Sequence, residues 1–296
     1  MVSTNAGEFE VSTFADRLNE LVRQRGTPLC VGLDPRWESL PTSLRQRYDD
    51  NPEGHASAFE AFCARVLDLV GGRVPVIKPQ MAFFEACGSA GFAALQRLNA
   101  RARQMGALVL LDGKRNDIAS TATAYADAAF GCWGGDALTV NPYLGRDAVE
   151  PFVTAARKVA GGVFVLVRTS NPGAGLFQDL VCEGKTLYHH VGERVAEWSR
   201  ANLGADGLGD VGAVVGATYP AELAELRAAL PEVIFLVPGY GAQGGTAADV
   251  RAAFRPDGLG AIVNSSRGIL FPFRPEDDQW ERRIIAATDE TIGVLK

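Results

Sequence analysis

Histidine is close to absent: the 296-residue chain has three, His55 and the adjacent His189 and His190, and none sits at metal-ligand spacing. A histidine-based triad and a histidine zinc site are therefore set aside. Cysteine is sparse as well. Cys30, Cys63, Cys87, Cys132 and Cys182 are odd in number, scattered and never paired as Cys-x-x-Cys, so neither disulfides nor structural zinc is expected, and all five read as small buried apolar residues. There is no clustered run of lysine and arginine, and a formal charge of -6 with a pI near 5.2 argues against nucleic acid or an anionic membrane as a general partner. A few local donors still suffice to hold a small anion. No segment approaches the roughly 18 uninterrupted apolar residues of a membrane span. The opening MVSTNAGEFEVSTFADR has no basic start leading into an apolar core, and the expected location is cytoplasmic.

What the chain does have is alternation. Short apolar runs at 29–33, 74–77, 107–111, 137–140, 163–167, 211–215, 233–237 and 260–263 are each followed by a stretch with helical character. The helical stretches after the first six cover about 55–71, 89–105, 120–130, 147–159, 187–202 and 220–229, with 276–289 closing the chain. The strands are apolar along their length, as strands buried on both faces must be. The expected fold class is α/β: a single (β/α)8 TIM barrel over residues 1–296. An extra N-terminal helix at about 12–25 is capped by Ser12 or Thr13 and buries Phe14, Leu18, Leu21 and Val22. Residues 36–54, polar and turn-rich with a short helical candidate at 44–48, read as a surface excursion. An open doubly wound sheet is the competitor, but the even spacing leaves no switch point or edge strand.

Charged residues gather where these strands end. Strand one stops at Asp34, strand two at Lys78, and strand three runs directly into Asp112, Lys114, Arg115 and Asp117 before a small-residue helix that Ser120 or Thr121 can cap. Asp112 and Lys114 are two apart, so an extended backbone turns both to one side. Carboxylates crowded together raise the energy unless cations interleave, which points to an alternating carboxylate and ammonium array. At the other rim, Gly239, Gly241 and Gly244 match the dinucleotide pattern G-x-G-x-x-G, but too little chain follows to build a nucleotide domain. In a barrel the loops after strands seven and eight form a phosphate cradle, with glycines admitting the backbone, Gln243 donating and Arg267 in NSSRG supplying a bidentate cation.

The run Asp112, Lys114, Asp117 and Ile118, followed by Ser120-Thr121, SNPGA, PGYGAQGG and SSRG, resembles orotidine 5'-phosphate decarboxylase of the longer bacterial type, over nearly the whole stretch from Leu29 to Phe271. Many relatives have Ala at the place of Gly113 and Gly at that of Asn116; Asn tolerates positive φ, so the turn is expected to survive. The resemblance implies conversion of orotidine 5'-phosphate to UMP and CO2 in pyrimidine synthesis, with no metal and no organic cofactor. It makes Lys114 the proton donor to pyrimidine C6, with Asp112 beside the departing carboxylate and Asp117 completing the catalytic set. Asp117 and Thr121 are implied to reach across a homodimer interface to the neighbouring subunit's ribose. Asp34 and Lys78 are implied to bind the ribose hydroxyls and Ser170 the pyrimidine amide. Gln243 and Arg267 bind the phosphate, with Pro238, Gly239 and Ser266 among the substrate-binding residues of the same motifs.

The chemistry suits those residue types. Carbon dioxide leaving C6 strands an electron pair in the ring plane, and the chain offers no electron-sink motif, so a fixed ammonium must meet it. Three rivals stand beside this reading: a magnesium-dependent sugar-phosphate lyase or isomerase on the same barrel, a Schiff-base aldolase using Lys114 or Lys78, and a non-catalytic nucleotide-binding protein. The first needs a further acid where Lys78 stands. The second needs a lysine of lowered pKa, whereas neighbouring carboxylates act in the opposite sense.

Overall fold

The computed structural model describes residues 12–241 and 245–296. Eight parallel strands close into a barrel: β1 (Leu29–Leu33), β2 (Val76–Pro79), β3 (Leu108–Arg115), β4 (Ala137–Val140), β5 (Gly162–Arg168), β6 (Val211–Val215), β7 (Phe235–Val237) and β8 (Ala261–Ser265). Each pairs with the next, and β8 returns to β1. Helices after the strands cover the outside, as the alternation of apolar runs predicts.

Period two along the strands decides what faces the axis. Cys30, Val76, Leu108, Leu110, Ala137, Phe164, Val214, Leu236 and Ile262 form one buried cluster inside the barrel. Their neighbours Val31, Ile77, Val109, Leu138, Val165, Ala213, Phe235 and Val263 belong to the larger cluster between strands and helices. Continued upward, the inward parity runs through Gly32 to Asp34, Lys78 to Gln80, Asp112, Thr139, Leu166, Pro238, and Asn264 to Ser266. The alternation that fills the lower barrel with hydrocarbon thus delivers polar side chains to its upper mouth.

The lower mouth is plugged. Helix α1 (Phe14–Arg25) starts at a capping box in which Thr13 and Asp16 satisfy each other's backbone N–H groups. Phe14 meets the Phe164 ring edge-on at 6.0 Å between centroids, and a side chain at Gly162 would collide with it. Arg17 pairs with Asp136, whose carboxylate accepts the Val109 N–H at 2.9 Å, fastening the plug to the strands.

Several boundaries differ from the expectation. The helix expected from residue 55 begins at Pro52, because Asn51 caps it through Gly54 N–H and proline suits the first helical position. Strand seven starts at Phe235, since Val233 N–H is taken by the turn carbonyl of Leu230. The last helix runs Trp280–Leu295, pushed later by Pro272 and Pro275 and a turn in which Asp277 accepts from Gln279 N–H. The helix after β3 spans Ala119–Asp127, so Ser120 and Thr121 lie inside it and do not cap it; Ile118 holds the cap position without a side-chain bond. The excursion at 36–54 carries two short turns, Trp37–Ser39 and Thr42–Arg45, and is tied down by Trp37 stacking on His55 at 4.1 Å. Cys132 and Cys182 are exposed, against the expectation of five buried thiols. No helix among the described residues is long and apolar enough to cross a membrane.

Candidate active site

At the upper mouth lies a cavity of about 520 Å³ whose walls include Asp34, Lys78, Gln80, Asp112, Lys114, Thr139, Ser170, Pro238, Gly239, Asn264, Ser266 and Arg267. Asp112 is its organising group. Its Oδ2 accepts from Lys78 Nζ at 2.7 Å and Gln80 Nε2 at 3.0 Å. Its Oδ1 accepts from Lys114 Nζ at 2.6 Å and Thr139 Oγ1 at 3.0 Å. The roughly four acceptor positions of a carboxylate are thereby filled.

Lys114 reaches Asp112 by a route the alternation did not foresee. The backbone is not extended there: Lys114 has φ 46, in the left-handed region, and the pairing of β3 with β4 slips between Leu111 and Arg115. The positive φ expected at Asn116 falls instead on Lys114 and, further on, on Ala119. The Lys114 N–H, left without a ladder carbonyl, donates to Thr139 Oγ1 at 2.9 Å. Its side chain remains 46% exposed to the cavity, whereas that of Lys78 is 4% exposed.

Burial alone would neutralise Asp112, but the ammonium groups of Lys78 and Lys114 overcome it and hold the carboxyl well below the ordinary carboxylate range. Burial likewise opposes charge on Lys78, and the carboxylates of Asp112 and Asp34 overcome it, holding the ammonium above the ordinary lysine range. A depressed acid stabilises the fold fully above its unfolded value of about 3.9, and loses this only as pH falls through the folded value. A raised lysine stabilises fully below its unfolded value of about 10.4, losing it as pH rises through the folded value. Replacing Lys78 by Met should therefore cost roughly 3–5 kcal/mol of unfolding free energy. In urea titrations the deficit should be full near neutral pH and shrink on acidification, because Asp112 with one ammonium fewer takes up its proton more readily; a deficit that grew on acidification would contradict the pairing. Beneath these charges, burial pushes the Cys30 thiol up to about 12, leaving it an inert apolar filler.

The opposite rim carries the expected glycine loop. Gly239 and Gly241 have φ 94 and φ 71, and Gly245 N–H returns to the Gly239 carbonyl at 3.1 Å. Gln243, assigned to the phosphate, lies outside the described residues. Asn264 donates to Ser266 Oγ at 3.3 Å, and any side chain at Gly32 would run into Ser266. Arg267 opens the short helix Arg267–Leu270 with its side chain at the cavity wall.

Asp117 and Thr121 are not part of this wall. Asp117 accepts from Ile118 N–H at 2.8 Å, and Thr121 sits on the exposed face of Ala119–Asp127 with Ile118 and Tyr125, both exposed. Gln80, Thr139 and Asn264 went unnoticed in the sequence although the inward parity of their strands points to each. Arg168 was missed for another reason. A slip in the β5 pairing between Leu166 and Arg168 turns its guanidinium out of the barrel, where it is 2% exposed. There it pairs with Glu222 at 2.6 Å and Asp179 at 2.9 Å and lies over the Tyr219 ring. Gln178, from the same loop as Asp179, accepts the Thr169 N–H at 3.0 Å, which anchors the turn carrying Ser170.

Residues 27–276 match the model of the "Orotidine 5'-phosphate decarboxylase / HUMPS family". An orotidine 5'-phosphate decarboxylase of Rhodopirellula baltica is 52% identical, covering 96% of this chain and 99% of its own. That of Deinococcus radiodurans is 43% identical, covering 96% and 98%. Among solved structures, Leishmania donovani OMP decarboxylase superposes with a TM-score of 0.76 at 36% identity, covering 96% of this chain and 97% of its own.

Proposed function

The chain belongs to the orotidine 5'-phosphate decarboxylase / HUMPS family, and from that premise we propose that Lys114 protonates C6 of the pyrimidine as CO2 departs. The protein is a carboxy-lyase of pyrimidine nucleotide synthesis that converts orotidine 5'-phosphate to UMP and CO2. The observation that supports the residue-level reading is the Lys78, Asp112, Lys114 array at the mouth of the barrel. The C6–carboxylate bond breaks, its electron pair stays on C6, and a proton passes from Lys114 Nζ to C6; the resulting amine recovers its proton from solvent. Asp112, held ionised, stands beside the leaving carboxylate and disfavours the bound ground state. Asp34 and Lys78 take the ribose hydroxyls, Ser170 the pyrimidine amide, and Pro238, Gly239, Gln243, Ser266 and Arg267 the phosphate.

No metal or organic cofactor enters this scheme. A magnesium-assisted lyase would need carboxylate oxygens of Asp112 that are already occupied by four donors. In solution, orotidine 5'-phosphate should lose its absorbance with stoichiometric release of CO2. Folded protein that binds UMP and leaves the absorbance unchanged would overturn the reading.

The outward placement of Asp117 and Thr121 supports a homodimer in which each subunit completes its neighbour's ribose site. Lys114→Ala and Asp117→Ala should each be inactive alone. Mixed and refolded together they should recover activity, because one site of each hybrid carries both native residues. Mixtures as silent as the separate variants would argue that both residues serve one subunit.

A further inference from the structure

The hydroxyl of Thr139 touches both Lys114 and Asp112. Thr139 is 1% exposed, at the inward position of β4. Its Oγ1 accepts from Lys114 N–H at 2.9 Å and lies 3.0 Å from Asp112 Oδ1. A backbone N–H can only donate and an ionised carboxylate can only accept, so the single hydroxyl proton points at Asp112. Lys114 depends on this acceptor, because the slipped register has removed its ladder partner and its φ of 46 is a conformation non-glycine residues hold only when neighbours enforce it. Asp112 Oδ1 also takes the Lys114 ammonium, at 2.6 Å. Two donors on one oxygen draw on the same lone-pair charge, so the hydroxyl moderates the carboxylate's grip on the ammonium.

We propose that Thr139 is a positioning residue for proton delivery. Its hydroxyl fixes the left-handed turn at Lys114 and takes up part of the Oδ1 charge, which leaves the ammonium aimed into the cavity instead of drawn wholly onto Asp112. This deepens the reading of Lys114 as the proton donor and rests on it.

Valine nearly matches threonine in shape and lacks the hydroxyl; serine keeps the hydroxyl and lacks the methyl. In Thr139→Val, kcat should fall roughly 10- to 100-fold, the effect of losing one hydrogen bond to a charged group. KM and the affinity for UMP should stay near wild type, and Thr139→Ser should restore most of kcat. Lys114→Ala is measured alongside. If it keeps normal turnover, the proton-donor assignment fails and this inference falls with it. If it is inactive while Thr139→Val is as fast as wild type, only the inference about Thr139 is overturned. Equal impairment of the serine and valine variants, or a loss confined to KM and UMP affinity, also overturns it, because packing would then account for the effect. Where circular dichroism shows that valine prevents folding, Thr139→Ala replaces it. If neither hydroxyl-free variant folds while Thr139→Ser does, the hydroxyl serves the fold alone and the inference is overturned.

Discussion

Lys114→Ala should abolish decarboxylation while the protein continues to bind UMP. A cation about 4 Å from the developing carbanion contributes on the order of 4 kcal/mol at an effective dielectric near 20, so its removal slows the chemical step by about a thousandfold from charge alone. The loss of the proton source adds to that deficit. Binding should persist because Asp112 keeps three of its four donors, from Lys78, Gln80 and Thr139, and is not left as an uncompensated buried charge. Single-turnover decarboxylation and calorimetric titration with UMP separate the two effects. Turnover near that of the native enzyme would remove Lys114 from the mechanism.

Arg267→Ala should lower kcat/KM for orotidine 5'-phosphate by roughly a thousandfold, as expected for two charge-assisted hydrogen bonds to one phosphate. The lysine cation supplies too little of the 8 to 23 kcal/mol by which enzymes typically lower barriers, in order-of-magnitude terms. Remote binding must contribute, holding the ring against the charged array. Two controls make the test specific. Orotidine without its phosphate should be turned over equally poorly by the native and Arg267→Ala enzymes, and added guanidinium ion should restore part of the variant's rate on the phosphorylated substrate. Unchanged kinetics, or a variant equally impaired on both substrates, would take the phosphate role away from Arg267.

The barrel itself was legible because its signals are local and repeated: every strand is a short apolar run, and each run is cut off by a polar residue, a glycine or a proline. The acids and lysines at Asp34, Lys78, Asp112 and Lys114 could be placed at one mouth for the same reason. What escaped were features created by breaks in that regularity. Lys114 meets Asp112 through a left-handed backbone and a slipped ladder, not through simple alternation. Arg168 leaves the barrel through a similar slip, and its partners come from separate elements that no local pattern connects, Asp179 from a loop and Glu222 from the first turn of the helix Pro220–Ala229. Thr139 and Asn264 stood in plain view of the period-two rule, but uncharged residues at strand ends attract little notice beside lysines and aspartates.

The aromatic stopper beneath the strands has a consequence for gas traffic. With Phe14 wedged under Phe164 and hydrocarbon filling the layers above, the described residues leave the vessel one neck, at its upper mouth. On the proposed placement of the substrate, carbon dioxide set free beside Asp112 departs past the nucleotide, through the opening by which orotidine 5'-phosphate arrived. Each turnover then ends with venting and unloading along a common path, and whatever obstructs that neck delays both products together.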